Sequence, residues 1–221
     1  NTVTANANAD QTTRTVYDAA GRLAYSIAPN NVVTRTVLDK LGNAVQSITY
    51  ANAISVTGLP ANPTVADIAA RISTNSSDQT NRIVRDAAGR GVYEINAQNG
   101  LTEHRYDAAG NEVATIRYAK PVAATGLTAQ ATLAQVNALI VTSTDDRVER
   151  RVFDANGRQR YRIDAAGYLV ENRYDAQGRM SSTIEYASAV NIAGNSVAAS
   201  QVTAEITRVS NATRDRTNSN F

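Results

Sequence analysis

Apolar and polar residues alternate with period two over short stretches, as in Leu23-x-Tyr25-x-Ile27 and Ile48-x-Tyr50, and this alternation predicts half-buried strands. Between the stretches stand Asp-x-x-Gly tetrapeptides, such as Asp18-Ala19-Ala20-Gly21, Asp107-Ala108-Ala109-Gly110 and Asp175-Ala176-Gln177-Gly178. Aspartate suits the first turn position because its carboxylate bonds the backbone two residues on. Glycine supplies the positive φ that a three- or four-residue hairpin loop requires. The chain therefore reads as a string of antiparallel hairpins.

The pattern recurs at a fixed step. Asp18, Asp86 and Asp154 lie 68 residues apart, as do Asp39, Asp107 and Asp175, each with its glycine three residues later: Gly21, Gly89, Gly157, Gly42, Gly110 and Gly178. Within a copy the two aspartates are 21 residues apart, and Asp164 divides the third interval. Arg14/Arg82/Arg150, Tyr25/Tyr93/Tyr161, Ile27/Ile95/Ile163, Ile48/Ile116/Ile184, Tyr50/Tyr118/Tyr186 and Gly58/Gly126/Gly194 keep the same register. A fixed period of this length marks a repeat architecture, in which each unit buries its apolar face on its neighbours. The expected division is a repeat tail over 1–12, repeats over 13–80, 81–148 and 149–216, and the start of a further copy over 217–221. Asp215-Arg216-Thr217 resembles Asp146-Arg147-Val148 displaced by one residue. Both termini then fall inside a repeat, as in a piece of a longer array. Four strands per copy are expected.

The last part of each copy changes period. Val65, Ile68 and Ile72, then Leu133, Val136 and Ile140, stand at helical spacing. Thr132 and Gln135 fit a capping box, in which two side chains each satisfy an orphan backbone donor. A helix of roughly two to three turns is expected there, and in the third copy the pattern slips to Val202, Ile206 and Val209.

Composition narrows the chemistry. No apolar run approaches the roughly 18 residues of a membrane span. Cysteine is absent, which excludes disulfides and thiol chemistry and fits a secreted or surface protein. Lys40 and Lys120 are the only lysines, so the lysine-rich protection common at sheet edges is missing, and helices or neighbouring copies are expected to cover the edges. A net charge of +2, with arginines dispersed among carboxylates, does not suggest nucleic acid.

Tyr17-Asp18-Ala19-Ala20-Gly21-Arg22-Leu23, Arg105-Tyr106-Asp107-Ala108-Ala109-Gly110-Asn111 and Arg173-Tyr174-Asp175-Ala176-Gln177-Gly178-Arg179-Met180 resemble the YD repeat of the RHS family. That family includes bacterial RHS proteins, the shell components of insecticidal toxin complexes, and teneurins. The resemblance covers the hairpin part of each copy and implies a mainly β fold: antiparallel hairpins in one winding, spiral-like sheet, often a hollow shell around a C-terminal segment. Two departures stand out. A Gly-Leu-led segment with a helix is inserted once per copy, and no Asp-Pro dipeptide exists, so the self-cleaving signature of many RHS shells cannot be assigned.

Candidate sites are sparse. His104 is the single histidine, and Thr36 and Asn172 replace it in the other copies, so it reads as an ordinary strand residue. Repeated Ser/His/Asp or Cys/His sites are excluded, and zinc lacks ligands. Asp145-Asp146 are adjacent, and Glu94, Glu103 and Glu171 lie on strands near arginines, which points to ion pairing. The turn aspartates lack the density of oxygen ligands that calcium prefers. Tyr25, Tyr93, Tyr161, Tyr50, Tyr118 and Tyr186 read as aromatic columns stacked between copies, with each hydroxyl requiring a partner. Asp10, Asp78 and Asp146 precede Arg14, Arg82 and Arg150 by a constant offset and suggest ion-paired ladders. Asn75 and Asn211 open glycosylation sequons, so glycans are a partner the sequence allows.

The expected function is a non-catalytic structural module without cofactor or metal, in a bacterial extracellular or surface protein forming a stalk, fibre or filament wall by self-association. A constant step yields an open helix or rod. The alternatives are a segment of an RHS-type shell around a toxin and, third, a carbohydrate-binding adhesin repeat.

Overall fold

The computed structural model describes residues 11–192, 194, 197–211 and 214–219. The elements follow in the order β1 (Arg14–Tyr17), β2 (Leu23–Ile27), β3 (Val33–Leu38), β4 (Ala44–Thr49), α1 (Val65–Ala69), β5 (Gln79–Arg85), β6 (Gly91–Ile95), β7 (Leu101–Tyr106), β8 (Glu112–Arg117), a 3-10 turn (Ala124–Gly126), α2 (Leu133–Asn137), β9 (Arg147–Phe153), β10 (Gln159–Ile163), β11 (Leu169–Tyr174), β12 (Met180–Glu185), α3 (Ala199–Val209) and β13 (Arg216–Ser219). The described strands form one unclosed antiparallel sheet in which every strand neighbours only the strands before and after it. The fold is mainly β, with four strands and one helix per sequence repeat, as the alternation and turn spacing implied. Two compact units divide the chain, one built around the first repeat together with 94–99 and 123–138, the other from 91–93, 100–122 and 139 onward. The division runs through the middle repeat.

In the first unit, Val16, Tyr25, Ile27, Val33, Tyr50, Ile54 and Ile68 form a buried cluster. The strand period puts these residues on one face: Val16 stands opposite Tyr25 and Ile27 opposite Val33 across the ladder. The helix α1 closes over this face with Ile68, which is wholly buried, a burial worth about 2 kcal/mol. Thr64 caps it: its hydroxyl accepts the Asp67 N–H, and the Asp67 carboxylate accepts the Thr64 N–H at 2.8 Å.

Two of the three helices fall short of the expected two to three turns. α1 and α2 have 5 residues each, so Ile72 and Ile140 lie beyond them. At the end of α1 the Arg71 N–H turns to the Ile68 carbonyl, and its guanidinium donates to the Ser55 and Thr57 carbonyls at 2.6 and 3.0 Å. These bonds fasten the chain to the linking loop and stop the helix, while Ile72 still packs on the cluster. Gln135 completes the capping box with Thr132 in α2.

In the second unit the cluster is Val152, Tyr161, Ile163, Leu169, Tyr186, Val190, Val202 and Val209. Its helix α3 has 11 residues and is the longest of the three, although its apolar pattern is displaced from that of the other copies. Val202, Ile206 and Val209 all meet the cluster, and a Glu205–Arg208 pair at 2.7 Å supports the exposed side. Ala198 has no oxygen to offer as a cap, so only the Gln201 side chain contributes, accepting the Ala198 N–H.

Candidate functional site

The Asp-x-x-Gly turns share one geometry. Asp18 Oδ1 accepts the N–H groups of Ala20 and Arg22, Oδ2 accepts Arg22 Nε, all at 2.9 Å, and Gly21 N–H donates to the Asp18 carbonyl. Asp86, Asp154 and Asp175 hold Arg90, Arg158 and Arg179 in the same way. At Asp39 and Asp107 the side-chain amides of Asn43 and Asn111 replace the guanidinium. Gly21, Gly42, Gly89, Gly110, Gly157 and Gly178 all have φ between 74° and 90°. Hydrogen bonds from Arg22 backbone and side chain lower the Asp18 carboxyl, those from the Arg90 and Arg158 side chains lower Asp86 and Asp154, and those from Asn43 and Asn111 lower Asp39 and Asp107. Asp175 is lowered first by the Arg179 N–H.

A further turn per copy carries a weaker sequence signal. Asp164 and Gly167 make it in the third repeat, while Ala28–Asn31 and Asn96–Asn99 make it in the first two, with Asn31 and Asn99 at φ 61°. Asparagine is the non-glycine residue best suited to that left-handed conformation, so the asparagines were its signal.

Among the described residues, the expected ion pairs of Asp78 with Arg82 and of Asp146 with Arg150 do not form. Asp78 instead accepts the N–H groups of Ala51 and Asn75 at 2.8 and 2.9 Å, and Asp146 those of Ala119 and Ser143 at 2.8 and 2.9 Å. Asp215 does the same for Ala187 and Asn211, one residue out of step. Each carboxylate closes the long loop that carries the helix. The arginines turn elsewhere, Arg82 to the Leu127 carbonyl and Arg150 to that of Gly194. Backbone donors at a loop neck satisfy a carboxylate without ordering a long cationic side chain, which favours this arrangement. Asp10 lies outside the described residues.

Tyr25, Tyr50, Tyr93, Tyr161 and Tyr186 are buried, and Tyr118 is half-buried. Tyr25 shares a cluster with Tyr50, and Tyr161 with Tyr186, so these aromatic neighbours lie within a repeat. Glu103 accepts the Tyr118 hydroxyl at 2.5 Å and Arg105 Nε at 2.6 Å. Glu171 accepts the Tyr186 hydroxyl at 2.9 Å and Arg173 Nη2 at 3.1 Å. Both glutamates are buried. Burial, and then the bond to the carboxylate, push both phenols well above the ordinary tyrosine value. Sequence reading had noted the glutamates only as ion-pair partners; the tyrosines bonded to them were the missing half.

His104 Nδ1 lies 3.3 Å from Glu112 Oε2 on a half-buried strand. Asn75 is exposed, with its amide donating to Asn52; the Asn211 sequon runs into residues outside the described set. No cluster of three or more metal-ligating side chains occurs among the described residues, and none of their helices is long and apolar enough to cross a membrane.

The hairpin sheet, with its Asp-x-x-Gly turns, is similar in fold to solved toxin-complex structures. Crystal structures of TcdB2-TccC3 complexes match it at 15% identity and TM-scores of 0.51 and 0.52, covering 83% of this chain and 8% of theirs. The Photorhabdus luminescens Tc holotoxin pore matches at 14% identity and TM-score 0.51, covering 79% of this chain and 8% of its own. The chain thus spans less than a tenth of these neighbours. No protein-family model matches it, and no curated protein does.

Proposed function

We propose that this chain is a non-catalytic length of wall from a larger, extracellular or surface-exposed YD-repeat protein of the RHS shell kind. The observation that carries the reading is the strand order: each hairpin adds to the last without crossover. A sheet so built extends by adding hairpins beyond β1 and β13, the end strands of the described sheet. Its half-buried carboxylates hold the wall together, the turn aspartates tightening hairpins and the loop-closing aspartates anchoring each helical insertion. The likeness of its fold to the toxin-complex neighbours supports the shell reading.

A stalk or fibre is the second reading, favoured by the constant 68-residue step, since one transformation applied repeatedly does not close. Electron microscopy of the purified native protein separates the two. Hollow particles support the shell, filaments with a regular axial repeat support the fibre, and compact particles without an extended sheet overturn both.

A further inference from the structure

The last rung of the ladder before each helical insertion is occupied differently in the three repeats. In the first, Thr49 faces Gln79, two neutral side chains. In the third, Glu185 faces Arg216, opposite charges. In the second, Arg117 faces Arg147. Like charges directly opposite one another destabilise an antiparallel pair. The equivalent rungs of the other two repeats avoid them, and the one other arginine pair in the described ladder, Arg151 opposite Arg162, shares the Glu149 carboxylate. A local rule broken at one copy of a repeated position marks a place where another requirement prevails.

Arg117 and Arg147 are exposed, and neither makes an ion pair among the described residues. Glu149 takes Arg151 and, at 3.6 Å, Arg162; Glu112 takes Arg151 at 2.7 Å; Asp146 is held by two backbone N–H groups; Asp145 is exposed. The two arginines line a cleft of about 120 Å³ with Thr115, Glu149, Arg151 and Ala165. That space is large enough to admit a small polyatomic anion.

We propose that Arg117 and Arg147 form a binding site for a tetrahedral oxyanion, the sulfate or phosphate group of an extracellular ligand. Each guanidinium carries a fork of N–H donors able to recognise such a group bidentately, and one rung brings two of them to the same cleft. The bound anion replaces the missing counter-charge and turns a repulsive rung into a bridged one. Arg151 closes the side of the cleft, held there by Glu112 and Glu149. The proposal does not depend on whether the wall closes into a shell or extends as a fibre.

The test is calorimetric titration of the intact chain at low ionic strength with inorganic sulfate, a heparin-derived sulfated oligosaccharide, and polygalacturonate as a carboxylate-only control. The comparison protein is the double variant Arg117→Thr/Arg147→Gln, which installs the rung already present in the first repeat and so retains a folded frame. The oligosaccharide should bind the native chain at least roughly tenfold more tightly than the variant, weakening as salt rises, with little response to polygalacturonate. If inorganic sulfate saturates the site and blocks the oligosaccharide at similar concentration, the ligand is the free ion; if the oligosaccharide is much tighter, it is an ester. Without added anion, the variant should melt above the native chain. Equal binding by both proteins, binding of polygalacturonate alone, or no binding with a destabilised variant would overturn the proposal.

Discussion

At one point of the sheet the first repeat carries Arg35 and the third carries Glu171. Each stands opposite a buried tyrosine, Tyr25 or Tyr161. In the third repeat the carboxylate gathers Tyr186 and Arg173; in the first, Arg35 stands where Glu171 does, with Val37 in the place of Arg173. The clefts over these positions differ accordingly. That of the third repeat holds about 380 Å³ and is lined by Arg158, Arg160, Glu171, Arg173 and Tyr174 among others. Its counterpart in the first holds about 170 Å³, with Leu23, Ala24, Val37, Leu38 and Val65 in its lining. The turns and apolar cluster around both are alike. Backbone frame and strand-centre chemistry are therefore separable: the former repeats while the latter is free to change, provided that it changes as a group.

The largest test exchanges one member of that group. Glu171→Arg should cost about 4 kcal/mol in urea denaturation, because the Tyr186 hydroxyl loses its acceptor and the new charge joins Arg173. Adding Arg160→Ala and Arg173→Val, which completes the first-repeat set, should recover more than half. No recovery would mean that the two regions differ in their frame as well.

Backbone conformation comes next. Gly167 has φ 89°, and an added Cβ would lie 3.1 Å from the Val190 carbonyl oxygen, so Gly167→Ala should cost about 3 kcal/mol from strain and crowding together. Gly157, at φ 74° with nothing nearer than 4.0 Å, should cost only about 1–2 kcal/mol. Equal losses would show that crowding is absent at the first. Asp146→Ala should cost about 1 kcal/mol and accelerate amide exchange at Ala119 and Ser143 selectively.

Acid should act on all repeats together. The turn aspartates have folded-state values below the ordinary 3.8. Their contribution is complete above that pH and is lost as the pH falls through the lowered values. A melting temperature that stays level down to pH 5 and declines below pH 4 is expected; a decline beginning near neutrality would point to other groups. The smallest effect is spectroscopic: Glu171→Gln should bring the Tyr186 phenol back toward its ordinary value in an alkaline absorbance titration, since the anion that holds its proton is gone.

Much of this frame was legible in the chain. Period-two alternation and Asp-x-x-Gly punctuation give strands and hairpins because both follow from local backbone and side-chain geometry. The helix lengths were not legible, since Arg71 ends α1 through carbonyls of a distant loop. The loop-closing role of Asp78 and Asp146 was likewise hidden: the arginine at the constant four-residue offset, Arg82 or Arg150, is not the partner that folding brings to the carboxylate. The Glu103–Tyr118 and Glu171–Tyr186 bonds join residues 15 apart across a hairpin, and a reading of columns between repeats looked past them.

The central claim is that three repeats share one hairpin frame irrespective of the chemistry at their strand centres. Amide hydrogen exchange at Arg22, Asn43, Arg90, Asn111, Arg158 and Arg179, each N–H bonded to its turn aspartate, tests it most directly. Similar protection at all six, retained outside the third repeat in Glu171→Arg, is the predicted result. Protection confined to the repeats with a buried glutamate, leaving Arg22 and Asn43 unprotected, would contradict it.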